Sequence, residues 1–250
     1  MMTCTEFLTL SNGSSIAYTH LPGREPGILF CSGFNSNMQG TKALALEQWA
    51  RDEGRQFTRF DYFGHGQSSG NVEQGCIGRW RDDTLAVLDE VTSGKQLIVG
   101  SSMGGWLMLL VALARPERVC GLLGLAAAPD FSQRLDASLT TAQRAALAEH
   151  GYVDLPNCYD DGEPYRIARH LLEEGEAHLL LAGEIPLELP VRLIQGQCDE
   201  DVPWQLALEL AQKLSTNDVE VQLVKAGDHR LSEPHDLQRM FTTVRQLLDT

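Results

Sequence analysis

The sequence lacks the features that mark membrane, exported and multidomain proteins. Its longest apolar runs, residues 107–114 and 122–128, are far shorter than the roughly 20 residues that span a bilayer. The N-terminus has no basic region followed by an apolar stretch and is not Arg-rich, so neither an export nor an organelle signal is expected. Repeats, low-complexity tracts and Pro/Ser-rich linkers are also missing. We therefore expect a single cytoplasmic domain without an integral membrane segment.

The sequence also lacks cysteine spacings typical of redox or zinc sites, and it has few positively charged residues. The six cysteines form no Cys-x-x-Cys pair, and no His/Cys spacing suits zinc, so we expect free thiols and no metal. Only 20 Lys and Arg stand against 34 Asp and Glu, which gives a net charge of −14. Such a surface repels phosphate backbones and anionic lipid, which argues against nucleic acid or a membrane surface as partner.

What the sequence does contain is a regular alternation of short apolar strands and helices. This alternation predicts an α/β protein with a mostly parallel eight-stranded sheet and helices on both faces. The predicted strands are residues 5–10, 15–21, 27–31, 57–60, 96–99, 119–125, 191–195 and 219–224. The predicted helices around them are residues 42–53, 79–91, 103–114, 204–214 and 235–248.

The alternation stops between residues 129 and 189. This segment predicts two helices, residues 140–150 and 164–181, with a polar, turn-rich stretch at 157–162 between them. We interpret it as a small helical cap inserted into a core made of residues 1–128 and 190–250. The leucines of these helices either pack on the core or line a channel.

One pentapeptide carries a specific chemical signal. Gly100-Ser101-Ser102-Met103-Gly104 is a G-x-S-x-G motif that follows a predicted strand and opens a predicted helix. This is the setting of a nucleophile elbow, a turn so sharp that neighbouring residues must lack a Cβ. Ser101 does not fit the motif, because the residue two positions after it is Met103 and the motif requires glycine there. We therefore predict an α/β-hydrolase fold in which Ser102 is the nucleophile.

A serine nucleophile needs a general base oriented by a carboxylate, and in this fold the chain order is serine, acid, histidine. Asp199 follows a predicted strand and is the predicted acid, with Glu200 and Asp201 as runners-up. His229 lies in the loop after the last predicted strand and is the predicted base. Its competitor, His235, stands at a helix start, where a surface position is expected.

The oxyanion hole requires two backbone N–H groups. We predict Met103, the residue after the nucleophile, and Phe34, in the loop after the third strand. The segment 61–66 predicts a tight turn that braces the elbow, in which His65 is structural. Trp106 is expected in the core. No cofactor is expected.

These segments together resemble a known family. The sequence is similar to the α/β-hydrolase-domain palmitoyl-protein thioesterases of the mitochondrial acyl-glucuronide-esterase type, from about residue 29 to near the C-terminus. The run around Ser102 is the specific part of the match. The matching segments are Gly40-Thr41-Lys42-Ala43-Leu44-Ala45, Phe60-Asp61-Tyr62, Gly100-Ser101-Ser102-Met103-Gly104-Gly105-Trp106-Leu107-Met108, Ala114-Arg115-Pro116-Glu117, Val202-Pro203-Trp204 and Asp228-His229-Arg230.

The resemblance implies the triad Ser102, Asp199 and His229, and hydrolysis of S-acyl protein thioesters with acyl glucuronides as a second activity. The expected partner is an S-acylated protein or peptide or a small molecule; the oligomeric state stays open. Because the predicted strands start almost at Met1, we expect a bacterial-type, cytoplasmic relative. The alternatives are another reaction of this fold, by a carboxylesterase, C–C hydrolase or peptidase, and a non-catalytic binding module.

Overall fold

The computed structural model describes residues 4–156 and 164–249 and has a central sheet of eight strands. Its strands are β1 (Glu6–Thr9), β2 (Ser15–Leu21), β3 (Arg24–Cys31), β4 (Arg55–Phe60), β5 (Gln96–Ser101), β6 (Val119–Leu125), β9 (Val191–Gly196) and β10 (Val219–Val224); β7 (Tyr152–Leu155) and β8 (Tyr165–Ala168) form a separate pair. The eight strands lie in the order β1-β2-β4-β3-β5-β6-β9-β10, and in this order the strands from β4 to β10 run parallel. Within this sheet, β2 pairs in antiparallel fashion with both β1 and β4. The predicted α/β-hydrolase fold is confirmed.

Eight α-helices accompany the strands in the described residues. They are α1 (Thr41–Asp52), α2 (Ile77–Glu90), α3 (Met103–Ala114), α4 (Phe131–Ser138), α5 (Thr141–His150), α6 (Arg169–Gly175), α7 (Gln205–Lys213) and α8 (Pro234–Leu248). Helices of the core follow strands at short intervals, which is the connection that parallel strands require. Each βα junction therefore brings its loop to the carboxyl edge of the sheet.

Alternate residues of the central strands pack into two separate buried clusters. Leu29 and Ile98 belong to the cluster that contains α2, α3 and α7, whereas Ile28 and Leu97 belong to the cluster that contains α1 and α8. Successive side chains of a strand point to opposite faces, so the two clusters cover the two faces of the sheet. This explains why the central strands are apolar without alternation.

The segment between β6 and β9 differs from the prediction. The helix predicted at 140–150 is confirmed as α5, whose Thr140 and Gln143 form a capping box. The helix predicted at 164–181 is wrong: β8 (Tyr165–Ala168) occupies its start and pairs with β7 (Tyr152–Leu155). Only α6 and a short 3₁₀ turn, Glu176–His178, are helical there. The predicted turn-rich stretch 157–162 lies outside the described residues.

Cross-strand contacts explain why a hairpin forms where a helix was expected. Arg166 of β8 forms an ion pair with Asp154 of β7, and its guanidinium lies 4.0 Å from the ring centre of Tyr152. Such pairs join residues that are distant in sequence, so helical periodicity gives no sign of them. In the chain that the structure describes, no helix is both long and apolar enough to cross a membrane.

Candidate active site

Ser102 occupies a strained turn between β5 and α3. Its φ of 54° is rare for a residue with a side chain, and such strain is typical of functional positions. A Cβ on Gly104 would lie 2.1 Å from the backbone oxygen of Cys31, and one on Gly100 would lie 2.3 Å from that of Gly104. The two glycines of the motif are thus required by close backbone approach.

His229 lies between Ser102 and Asp199. Its Nε2 is 3.1 Å from Ser102 Oγ, and its Nδ1 is 2.9 Å from Asp199 Oδ2. One tautomer satisfies both contacts: Nδ1–H donates to the carboxylate, and Nε2 accepts from the serine hydroxyl. The structure therefore brings the three predicted residues together, on loops that follow β5, β9 and β10.

The carboxylate of Asp199 is held by several donors. Besides His229, it accepts hydrogen bonds from Gln195 Nε2 and from the backbone N–H groups of Asp201 and Val202. Burial alone would raise the pKa of Asp199, but the hydrogen bond and charge of His229, with the two N–H groups, lower it below its usual value. Asp199 is therefore ionised at neutral pH and can orient the imidazole.

The runner-up residues occupy different places. Glu200 and Asp201 are exposed, although Asp201 offers an oxygen in a group within 4.8 Å that also contains ligand atoms of Asp199 and His229. Such a trio could hold a cation, but both ring nitrogens of His229 already contact Ser102 and Asp199, an arrangement that suits proton transfer. His235 is not brought to the site; its exposed ring lies 3.4 Å from Asp236.

The loop after β3 passes close to the nucleophile. A Cβ on Gly33 would lie 3.3 Å from Ser102 Cβ, which places the following residue, Phe34, at the reacting centre. Phe34 and Met103 line the same pocket as Ser102 and His229. Within residues 4–156 and 164–249, no protein acceptor takes the backbone N–H of either Phe34 or Met103. Both N–H groups are thus available to a developing oxyanion, as the prediction requires.

His65 contacts this loop, a role that the sequence did not reveal. Its Nε2 accepts the backbone N–H of Asn35 at 3.2 Å, and its Nδ1–H donates to the carbonyl of Phe63. Burial lowers the pKa of His65, which keeps the ring neutral and able to accept. The turn 61–66 was expected to brace the elbow; through His65 it supports the loop that carries Phe34. In the sequence, the pattern Gly64-His65-Gly66 was the feature that could have drawn attention to His65.

Two cavities meet at the nucleophile. The apolar pocket, of about 550 Å³, is lined mainly by Phe131 and Leu135 of α4, by Leu155 and Ile167 of the hairpin, and by Val202. The polar pocket, of about 350 Å³, is lined by the loop after β3, the start of α1 and the residues after His229. Both include Phe34, Ser102, Tyr165 and His229.

The sequence left open whether the leucines of the two predicted cap helices pack on the core or line a channel, and four of them pack on the core. Leu139, Leu147, Leu171 and Leu172 are buried in the cluster on the α3 side of the sheet. Trp106, predicted to be in the core, is fully buried there, and its indole N–H donates to the carbonyl of His178. The wall of the pocket comes instead from α4 and the hairpin, both of which were missed.

Comparison with known proteins places this chain in a family. The model of the serine aminopeptidase S33 family matches residues 24–153. The mitochondrial palmitoyl-protein thioesterase ABHD10 of Mus musculus is 42% identical over 243 residues, which cover 97% of this chain and 82% of that protein. The protein of Homo sapiens with the same name is 39% identical over 99% of this chain and 81% of its own length.

Solved structures agree with the sequence comparison. The α/β hydrolase domain-containing protein 10 from mouse superposes with a TM-score of 0.92 at 42% identity and covers 98% of both chains. A putative hydrolase from Agrobacterium vitis S4 gives a TM-score of 0.94 at 39% identity, over 99% of this chain and 100% of its own.

The same comparison corrects the expected location. The sequence favoured a cytoplasmic protein, but the relatives that match almost the whole chain are named mitochondrial. The cytoplasmic expectation is therefore wrong. That expectation rested on the N-terminal residues, whereas the relatives match along almost the whole chain. With full-length relatives at about 40% identity and a shared fold, the chain belongs to the α/β-hydrolase family that contains the palmitoyl-protein thioesterases ABHD10.

Proposed function

We propose that this protein removes long acyl groups from cysteine thioesters of proteins or peptides, with Ser102 as the nucleophile. The protein is a serine hydrolase that cleaves ester or thioester bonds, as its family relationship establishes. The specific substrate and the residue roles are our proposal. The observation that carries the residue roles is the continuous hydrogen-bonded line from Ser102 Oγ through His229 to Asp199.

In the first half-reaction, Ser102 Oγ attacks the acyl carbon while His229 Nε2 takes the hydroxyl proton. The negative oxygen that forms is bound by the N–H groups of Phe34 and Met103. The tetrahedral intermediate collapses, the carbon–sulfur bond breaks, and the thiol leaves with the proton from His229. Water then attacks the acyl-serine by the same route and releases the acid, while Asp199 keeps the imidazole in the required tautomer.

A thioester suits this site, but the triad does not select it. A thiol leaves readily as thiolate because its pKa is about 8.5, so protonation by His229 matters less than for an alkoxide. The preference for one substrate over another must therefore come from the two pockets. The apolar pocket matches a hydrocarbon chain, since burying each CH₂ contributes about 0.8 kcal/mol.

The inserted segment, residues 129–189, is proposed to act as a cap over the core. Its helix α4 and hairpin β7–β8 supply Phe131, Leu135, Leu155 and Ile167 to the apolar pocket, opposite residues supplied by the core such as Met103. An acyl chain bound there would be enclosed by both parts of the protein. The length of chain accepted would then depend on this segment.

The test compares purified wild type with Ser102→Ala on palmitoyl thioesters, p-nitrophenyl esters of graded chain length and aminoacyl amides. The amides test peptidase activity, which the name of the matching family model suggests. We expect hydrolysis of thioesters and esters, little of amides, and loss of activity by several orders of magnitude in Ser102→Ala. Labelling by a fluorophosphonate probe should disappear in the same variant.

A matched control is Ser215→Ala, because this hydroxyl bonds Glu184 and the backbone of Ile185 and lines neither pocket. It should keep full activity and labelling. Preferred hydrolysis of amides would overturn the substrate class. Activity or labelling that persists in Ser102→Ala would overturn the assignment of the nucleophile.

A further inference from the structure

The polar pocket beside Ser102 has an unusual charge for this protein. Lys42 and Arg230 both line it, while no Asp or Glu does so among the described residues. The chain as a whole carries a net charge of −14, so a cavity lined by two cations and no carboxylate is opposite in sign to the charge of the whole chain. A cavity of this kind at a reaction centre favours a negatively charged ligand.

Lys42 is the central cation of this pocket. Its ammonium donates a hydrogen bond to the backbone carbonyl of Arg230, next to His229. An ammonium carries three N–H groups, so two remain for a ligand as far as residues 4–156 and 164–249 are concerned. Burial lowers the pKa of Lys42 to about 8; nearby Asp228, Asp236 and Asp199 oppose this, while Arg230 adds to it. None of these three carboxylates lines the pocket. Lys42 therefore carries its charge at neutral pH.

The first turn of α1 adds backbone donors to the same pocket. Gly40, the N-cap, offers no side-chain acceptor, and the first turn of this 12-residue helix contains no acidic residue. Thr41, Lys42 and Ala43 all line the cavity. The amide groups at a helix start and the helix dipole both favour an anion at this position.

Ser32 adds a buried polar side chain to the wall of this pocket. The residue is 3% exposed and lines the polar pocket, and its hydroxyl has no hydrogen-bond partner in the described part of the chain. Because this oxygen is shielded from solvent, it adds polarity to the wall, and the charge of the pocket comes from Lys42 and Arg230.

We propose that the polar pocket binds the leaving group, and that it selects thiols with a carboxylate close to the scissile sulfur, as in an S-acyl cysteine next to an acidic residue. The inference rests on the proposed function. An alkyl chain could not fill this cavity without stripping water from Lys42. The apolar pocket also has Arg134, Glu200 and Asp201 in its lining, but most of its wall is hydrocarbon. The two pockets thus divide the substrate at the carbonyl carbon that Ser102 attacks.

The test uses two palmitoyl thioesters that differ only in the thiol. The first thiol is 3-mercaptopropionate, which is anionic, and the second is its methyl ester, which is uncharged. Wild type should show a higher kcat/KM for the anionic thioester by roughly ten- to a hundredfold, since charge-assisted hydrogen bonds contribute about 1.5–3 kcal/mol. Lys42→Met should reduce the ratio of the two values to about one, and Lys42→Arg should restore part of it.

Lys213→Met is the matched control, because it removes the same charge from a half-buried lysine in the last turn of α7 that lines neither pocket. It should leave the ratio unchanged. If Lys42 only holds the His229 loop, Lys42→Met will lower both rates equally and the ratio will persist, which overturns the inference. Thermal unfolding of each variant checks that the fold is retained.

The pH dependence gives a second readout. Lys42 is charged below a pH of about 8, so the anionic preference should be present at pH 7 and decline as the pH rises through 8 to 9. Both thioesters are hydrolysed by the same catalytic groups, so the titration of those groups cancels in the ratio of the two kcat/KM values. A wild type that hydrolyses both thioesters without preference would overturn the inference alone. Hydrolysis of neither thioester would overturn the proposed function itself.

Discussion

Among single residues, the catalytic candidates differ in how clearly the neighbouring sequence indicates their role. Ser102 is recognisable because its turn demands Gly100 and Gly104, and glycine is the residue that avoids contact with the facing backbone. Asp199 is marked only by its place after a strand. Its selection over Asp201 depends on which carboxylate faces His229, and three-dimensional packing decides that.

Asp199→Asn should lower kcat by about 10⁴-fold, because the amide favours the imidazole tautomer that cannot accept the serine proton. The fold should be retained, since the amide oxygen can still accept the N–H groups of Asp201 and Val202. Steady-state kinetics on a palmitoyl thioester, with thermal unfolding alongside, measures both effects.

Asp201→Asn is the control for this change. Asp201 is exposed, and the bond that it gives to Asp199 comes from its backbone, so kcat should stay close to that of wild type. If Asp201→Asn abolished activity while Asp199→Asn did not, the acid would be misassigned. The proximity of both carboxylates to His229 makes this comparison necessary.

At the scale of elements, the inserted segment is attached to the core by polar contacts, among them one made by Glu174. Glu174, close to the end of α6, accepts the backbone N–H of Gly78 at the start of α2 and lies 2.6 Å from His178. Burial raises the pKa of Glu174, but these two contacts lower it below its usual value. Within the segment itself, Asp130 accepts the N–H groups of Leu180 and Leu181 and so ties its beginning to its end.

Glu174→Gln should lower the free energy of unfolding at pH 7 by about 1 kcal/mol, since it removes a charged acceptor. A carboxyl whose folded pKa is depressed stabilises the fold above its unfolded pKa, about 4.3, and loses this contribution as the pH falls further. The difference from wild type in urea unfolding should therefore shrink at acidic pH. The exposed neighbour Glu173→Gln should show no such difference at any pH.

Over the whole molecule, the two faces of the sheet contribute unequally to the site, because no residue of α8 lines either pocket. The apolar pocket and the inserted segment adjoin the cluster that contains α2, α3 and α7. The other cluster, between the sheet and α1 and α8, includes Met240 and Val244. The two faces can therefore be perturbed separately.

Met240→Ala should lower the free energy of unfolding by about 2–5 kcal/mol, because it leaves a cavity at a side chain that is 1% exposed. The values of kcat and KM per folded molecule should stay near those of wild type. Urea unfolding and steady-state kinetics below the unfolding transition measure the two quantities. A large loss of kcat in a folded Met240→Ala protein would show that the two faces are coupled.

The sequence by itself determined the strand–helix alternation, the elbow and the order of serine, acid and histidine. These depend on local periodicity, on glycine where a Cβ cannot fit and on positions after strands, all of which can be read from short stretches. Only the tertiary structure decided that β7 and β8 form a hairpin, that His65 supports the loop of Phe34, and that an apolar and a polar pocket meet at Ser102. Those features join residues far apart in the chain, so no short stretch contains both partners.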